Sequence, residues 1–145
     1  MLTLVPIGPD NWREPLSVKA EQKHSVADRV TLLAQAYAYH EHRSRAKLIM
    51  LDDTPIGMLL YHDDTWKQSA YVLSQFFIDQ RWQGQGYGYA AMRLLLDELR
   101  RDGRYREVEL CYVDGDEAAR RLYEKCGFTA TGEVDENEIT MRLTL

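Results

Sequence analysis

A chain of 145 residues, 45% apolar and 28% charged, has the size and composition of one globular domain around a single core, which excludes disordered, fibrous and collagen-like classes. Its 23 acidic against 18 basic residues leave a formal charge of −5, which repels nucleic-acid phosphates and weakly favours a cationic ligand. No apolar run approaches the roughly 20 residues that span a bilayer, and the N-terminus lacks a basic region and a long hydrophobic segment, so a cytoplasmic protein with no membrane partner is expected.

Leu2, Leu4 and Ile7 mark a first strand ended by Gly8-Pro9, and Asp10 or Asn11 is placed to cap a short helix through Val18. From 25 to 40, Val26, Val30, Leu33, Ala34, Tyr37 and Ala38 recur at three- and four-residue spacing, which predicts an amphipathic helix capped by Ser25. Strands over 47–51 and 56–61 are joined by Asp52-Asp53-Thr54-Pro55 as a hairpin. A longer strand over 70–79 enters a glycine-rich stretch, and a helix follows in which Ala91, Met92, Leu95, Leu96 and Leu99 hold one face until Asp102-Gly103. Residues 107–113 alternate as a strand and turn at Asp114-Gly115 into a helix carrying Ala118, Ala119, Leu122 and Tyr123. That helix ends at Cys126-Gly127-Phe128, and 139–145 alternates as a last strand. No repeat, low-complexity stretch or linker divides the chain, so 1–145 reads as one domain. Cys111 and Cys126 are expected to be reduced, buried and small hydrophobes in function.

The informative segment is Gln83-Gly84-Gln85-Gly86-Tyr87-Gly88, where a strand meets a glycine turn that opens a long helix. Glycines let consecutive amides point inward, and a helix start adds unsatisfied donors and a partial positive charge, so a diphosphate suits the turn. A Walker loop is excluded because no Gly-Lys-Ser/Thr closes it. A dinucleotide fingerprint requires Gly or Ala where Tyr89 stands, although Asp114 at the end of the next strand keeps that reading open. A tight strand-to-helix turn with no ligand is the remaining alternative. His40-Glu41-His42 lacks a third ligand at a recognised spacing, so no metal is expected. No Ser-His-Asp or Cys-His arrangement stands out, so no nucleophilic triad or dyad is expected.

Residues 83–88 match the Gln/Arg-x-x-Gly-x-Gly/Ala fingerprint of the GNAT superfamily of N-acetyltransferases, which the chain resembles. A second signature of that family, Asn-x-x-Ala-x-x-Leu-Tyr followed by Gly-Phe, is matched by 116–123 and Gly127-Phe128, with Asp116 in place of the asparagine. Asn11-Trp12-Arg13-Glu14, Lys19-Ala20-Glu21-Gln22, the helix with Tyr37, Ala119 to Phe128 and Glu138 to Leu143 are further similar to bacterial spermine/spermidine acetyltransferases.

The resemblance implies an α/β (α+β) domain with a mixed, mostly antiparallel sheet of about six to seven strands flanked by about four helices. It implies acetyl-CoA as co-substrate, with Phe77 and Ile78 polarising the thioester and Gln83, Gly84, Gln85, Gly86, Tyr87, Gly88 and Tyr89 holding its diphosphate. Asp116 and Ala119 are expected beside the cofactor, and Tyr123 as general acid toward the thiolate. The acceptor is expected to be the primary amine of a small cation such as spermidine or spermine, with a peptide or protein amine, or an acyl-CoA sensor without chemistry, as alternatives. Related polyamine enzymes can carry a glutamate base where this chain has Ser74, so the base is open among Glu21, Glu41 and a water chain. Glu21 and Glu41, with Asp52 and Asp53, are candidates for an acidic acceptor pocket. The family also suggests a homodimer.

Overall fold

In the computed structural model, which describes residues 1–145, the chain order is β1 (Leu2–Pro6), α1 (Arg29–Ala38), β2 (Arg45–Leu51), β3 (Thr54–Asp63) and β4 (Tyr71–Ile78), then α2 (Tyr87–Asp102), β5 (Glu107–Val113), α3 (Glu117–Cys126), β6 (Thr129–Asp135) and β7 (Glu138–Thr144). The strands form one seven-stranded sheet in the order β1-β2-β3-β4-β5-β7-β6. Every neighbouring pair is antiparallel except β4 and β5. These two are parallel because α2 carries the chain back across one face of the sheet between them, as a parallel pair requires.

Alternation along the central strands sorts side chains between two cores. Leu59, Tyr61, Leu73 and Ile78 join Ala91, Met92, Leu95, Leu96 and Leu99 of α2 on one face, with Tyr123 and Phe128 from α3 and its end. Met58, Leu60 and Phe77 turn to the other face and meet Leu32 of α1 with Leu16 and Val18. The α2 end is pinned where Tyr71 Oη donates to Asp102 and accepts the Arg104 amide at 3.0 Å. Gly103, at φ 69°, then closes the helix.

Three elements differ from the sequence reading. Residues 10–18 form turns and then an irregular stretch, not a helix, because Pro15 lacks an N–H and disfavours helical backbone at Glu14. Three α-helices with three short 3₁₀ turns thus stand where about four helices were expected. The second predicted helix begins only at Arg29, with Asp28 as its cap accepting the Thr31 amide at 2.7 Å. Its buried face holds Leu32, with Leu33 and Ala36 packed beside it, while Val30 and Tyr37 of the expected stripe are 61% and 77% exposed. The strand β6 carries no sequence signal. Its register breaks between Ala130 and Val134 around Gly132 at φ 91°, and most of its side chains face solvent, so no alternation marks it.

Gly57 lies where β3 pairs with the end of β4, and a Cβ built there falls 2.4 Å from the Phe77 carbonyl oxygen. Gly57→Ala is expected to cost about 3 kcal/mol of stability. Urea unfolding checks it, and an unchanged midpoint would show that the strands can part there freely.

Candidate active site

The parallel pair holds only from Tyr71↔Val108 to Leu73↔Leu110, although β4 continues to Ile78 and β5 to Val113. Beyond those pairs each strand is held by its outer neighbour, β4 by β3 as far as Gly57↔Ile78 and β5 by β7 as far as Val113↔Glu138. Alternate backbone groups of Ser74–Ile78 therefore point into a wedge rather than to a partner strand. That wedge is a cleft of about 310 Å³ with a mostly apolar lining.

Phe77, Ile78, Gln83, Gly84, Gly86, Tyr87, Gly88, Asp116, Ala119 and Tyr123 all line the cleft, so ten sequence-selected positions converge there from four separate elements. Gln85 and Tyr89 belong to the same turn but do not line it. Tyr89 lies between cations, with Lys125 Nζ 4.3 Å from its ring centroid and Arg93 donating to its hydroxyl at 3.0 Å. Glu21 lines a second cavity with His24, Asp114 and Glu117, whose lining shares Gln22, Ser25, Val113 and Asp116 with the cleft. Glu41 stands in the exposed 3₁₀ turn His40–His42 and Asp52 binds the N-terminal ammonium at 2.8 Å, so neither is brought to the cleft. Cys111 is exposed on the cleft wall and Cys126 is half-buried, which corrects their reading as core residues.

Gly84 and Gly86 take φ of 76° and 85°, the left-handed backbone that favours glycine, and a Cβ at either would meet nothing within 4 Å. Gly86 starts the 16-residue α2 with no side-chain cap. As a result the six consecutive amides of Gly84 to Tyr89 donate to no other atom of the chain. They stand at the positive end of a long helix dipole, which is an anion site in physical terms.

Two polar clusters hold this turn in place. Asp79, 1% exposed, accepts the Ser17 amide at 3.0 Å and both the amide and Nε of Arg81 at 3.0 and 2.8 Å. Burial opposes its ionisation, but the Arg81 guanidinium and these amides outweigh burial and hold its pKa below the ordinary value. Gln83, selected from the sequence as a ligand contact, has both amide hydrogens engaged, by Gln22 Oε1 at 3.0 Å and by the Ile78 carbonyl at 2.9 Å. Gln22 donates back to Gln83 Oε1 at 3.1 Å, so the pair latches the segment after Val18 to the glycine turn. Sequence spacing gave no signal for this latch or for Asp79, because their partners lie about sixty positions away.

Asp116 caps α3 by accepting the Ala119 amide at 3.1 Å, so its carboxylate does for the helix what the family's asparagine side chain can also do. Tyr123 is buried between Tyr112 and Phe128, and its hydroxyl bonds to no other group of the chain. Burial first, then the nearby Asp116 charge, push its phenol up, so it stays protonated through the neutral range.

The model of the acetyltransferase (GNAT) family matches residues 10–128, and the chain belongs to that family. Over 81 residues, 56% of this chain and 53% of the relative, it is 32% identical to a spermine/spermidine N(1)-acetyltransferase of Bacillus subtilis strain 168. The chain thus spans about half the length of the curated relatives it matches. Its fold is similar to that of the aminoglycoside acetyltransferase AAC(6')-Ib in complex with coenzyme A, at TM-score 0.81 and 19% identity over 99% of this chain and 95% of that one. A Vibrio cholerae spermidine N-acetyltransferase in complex with CoA and spermine superposes at TM-score 0.79 and 17% identity, over 99% and 95% of the two chains.

Because Asp79 titrates lower in the folded chain than its ordinary 3.8, its contribution is full above that value and is lost as pH falls through the folded pKa. Asp79→Asn is therefore expected to lose about 2 kcal/mol at pH 7, with the gap to wild type closing below about pH 4. Denaturant melts at pH 7 and pH 3 measure it; a gap independent of pH would remove the ionic account.

Proposed function

We propose that the protein is an acetyl-CoA-dependent N-acetyltransferase that moves the acetyl group to a primary amine of a small cationic acceptor, of the polyamine type, in a ternary complex. The observation that carries this reading is the row of six acceptor-free amides at the mouth of a wedge between two parted strands. The residues fit a coenzyme: the amides of Gly84 to Tyr89 suit a diphosphate, and the narrow wedge beside Phe77 and Ile78 suits an extended apolar arm. When bound, the coenzyme supplies an acetyl group activated as a thioester. Backbone N–H groups of the free edge of β4 orient the carbonyl and stabilise charge on its oxygen. Tyr123 supplies the proton for the departing sulfur, in keeping with a phenol that burial keeps protonated.

Support for a cationic acceptor comes from the neighbouring cavity, where Glu21, Asp114, Asp116 and Glu117 gather and whose lining shares Asp116 with the cleft. The name of the Bacillus relative points the same way. The chain's charge of −5 favours a cationic acceptor, and no helix is long and apolar enough to cross a membrane.

Calorimetry is expected to show acetyl-CoA binding that Gly86→Trp abolishes and Gly88→Ala retains, since a Cβ at Gly88 meets Leu122 at an ordinary 3.6 Å. Retained affinity in a folded Gly86→Trp would disprove the diphosphate assignment. In a thiol-release assay spermidine or spermine is expected to turn over and peptides not; turnover with peptides alone would replace the acceptor class.

Tyr123→Phe is expected to lower kcat by about a hundredfold at unchanged acetyl-CoA affinity. A full kcat in that variant would leave Tyr123 as packing only.

A further inference from the structure

The wall of the cleft that faces α1 carries a hydrogen-bonded pair that the sequence did not announce. Along β3 and β4 the register runs Leu60↔Gln75 and then Tyr61↔Leu73, so Ser74 is an extra residue, bulged out of the ladder. A bulge turns two successive side chains to one face. Gln75 there donates to Gln35 of α1 at 2.9 Å, and Ser74, on the cleft lining, bonds to Nε2 of His62 on β3 at 2.5 Å. His62 itself is 5% exposed and does not line the cleft.

The tautomer follows from the partners. His62 Nδ1 lies 2.7 Å from the Asp63 carbonyl oxygen, which can only accept, so Nδ1 carries the hydrogen. Nε2 is then the bare nitrogen, and the Ser74 hydroxyl donates to it. The surroundings keep the ring neutral. Burial lowers its affinity for a proton below the ordinary range and the His42 charge adds to that, against the bond to the Asp63 carbonyl and the carboxylates of Asp63 and Asp64. Of these, Asp63 is already matched by Arg43 at 3.0 Å and Arg104 at 3.7 Å. From the other side the ring is covered by Tyr39, with centroids 4.5 Å apart. A hydroxyl at the cleft, a free imidazole nitrogen behind it and a carbonyl holding the far nitrogen form an ordered proton path.

We propose that Ser74 and His62 are the proton relay for the acceptor amine: Ser74 Oγ receives the proton of the attacking nitrogen and passes its own to His62 Nε2. This rests on the acetyltransferase reading above and fills the role for which that reading left no carboxylate, since Glu41 is remote and Glu21 lines the neighbouring cavity. The acceptor enters as a neutral amine, its ammonium proton already lost to solvent. Its nitrogen lone pair forms the N–C bond to the acetyl carbon, and the C–S bond breaks with its electron pair leaving on sulfur. Forming the bond makes the nitrogen acidic, so its surplus proton moves to Oγ while the serine proton moves to Nε2. Sulfur takes a proton from Tyr123. The imidazolium then returns its proton through Ser74 to solvent, the Tyr123 phenolate takes one back from solvent, and no oxidation or reduction occurs. Ser74 is the group that touches the substrate; His62 acts through it.

The test compares wild type with Ser74→Ala, Ser74→Thr and His62→Gln, using spermidine and acetyl-CoA. For wild type, kcat is expected to rise with pH along an acid limb whose midpoint lies below the ordinary 6.5 of histidine. Ser74→Ala and His62→Gln are expected to lose about a hundredfold in kcat together with that limb, with acetyl-CoA affinity by calorimetry unchanged, and Ser74→Thr, which restores a hydroxyl, to recover most of the rate. Independent of turnover, the His62 ring resonances followed by NMR in the free protein are expected to titrate at higher pH in Ser74→Ala, because the bond to the neutral ring is gone. Ser74→Ala with kcat within about threefold of wild type and the same acid limb would overturn the relay while leaving the acetyltransferase standing. An acetylated Ser74 on incubation with acetyl-CoA alone would also overturn it, in favour of a covalent route. A wild type that binds acetyl-CoA but acetylates no amine overturns the parent reading, and the relay with it.

Discussion

β4 and β5 are hydrogen-bonded over three residue pairs, Tyr71↔Val108 to Leu73↔Leu110, and past that point each strand is secured only by its outer neighbour. A sheet that stayed closed would have its amides satisfied and its faces covered, and would have no cleft. Because it opens, backbone of Ser74–Ile78 with no partner strand on that side faces an apolar wedge, and α2 begins at the wedge mouth with its own donors free. The cores above and below keep the parted ends from collapsing onto each other. Leu73 and Ile78 are anchored against α2, and Phe77 against Leu32 and Val18.

Unpaired polar backbone inside a fold is destabilising unless something holds it, and this molecule does so with side chains from distant segments. Asp79 ties the end of β4 to Ser17, and the Gln83–Gln22 pair ties the glycine turn to the segment after it. The N-terminal stretch thereby becomes a wall of the cleft, although it contains little regular structure. Pro15 serves this arrangement, since a helix over 10–18 would turn the Ser17 amide and carbonyl inward on itself instead of toward Asp79 and Gln80.

The bulge at Ser74 adds chemistry to that frame. One extra residue in β4 puts a hydroxyl and an amide side chain on the same side, where α1 and the buried end of β3 supply Gln35 and His62. Tyr123, the proposed proton donor, reaches the cleft from α3, the helix that follows β5. The proposed donor and acceptor of protons thus come from the β5–α3 side and the β3–β4 side of the parting sheet.

The sequence by itself determined the elements whose signal is local. The strands read at 47–51, 56–61, 70–79, 107–113 and 139–145, and one near Leu2 and Leu4, are all present with ends shifted by no more than about two residues, and the turn at 83–88 follows from glycines at positions that need left-handed backbone. Ten of the residues selected around that turn and the Tyr123 helix do meet in one cleft. Where the local pattern was weak or two-sided it misled, as at the solvent-facing β6 and the rotated face of α1. Only the tertiary structure decided which polar groups meet. Ser74 and His62, Gln83 and Gln22, Asp79 and Ser17 are each separated by 12 to 62 positions, and spacing along a chain carries no information about pairs that sheet register and packing bring together.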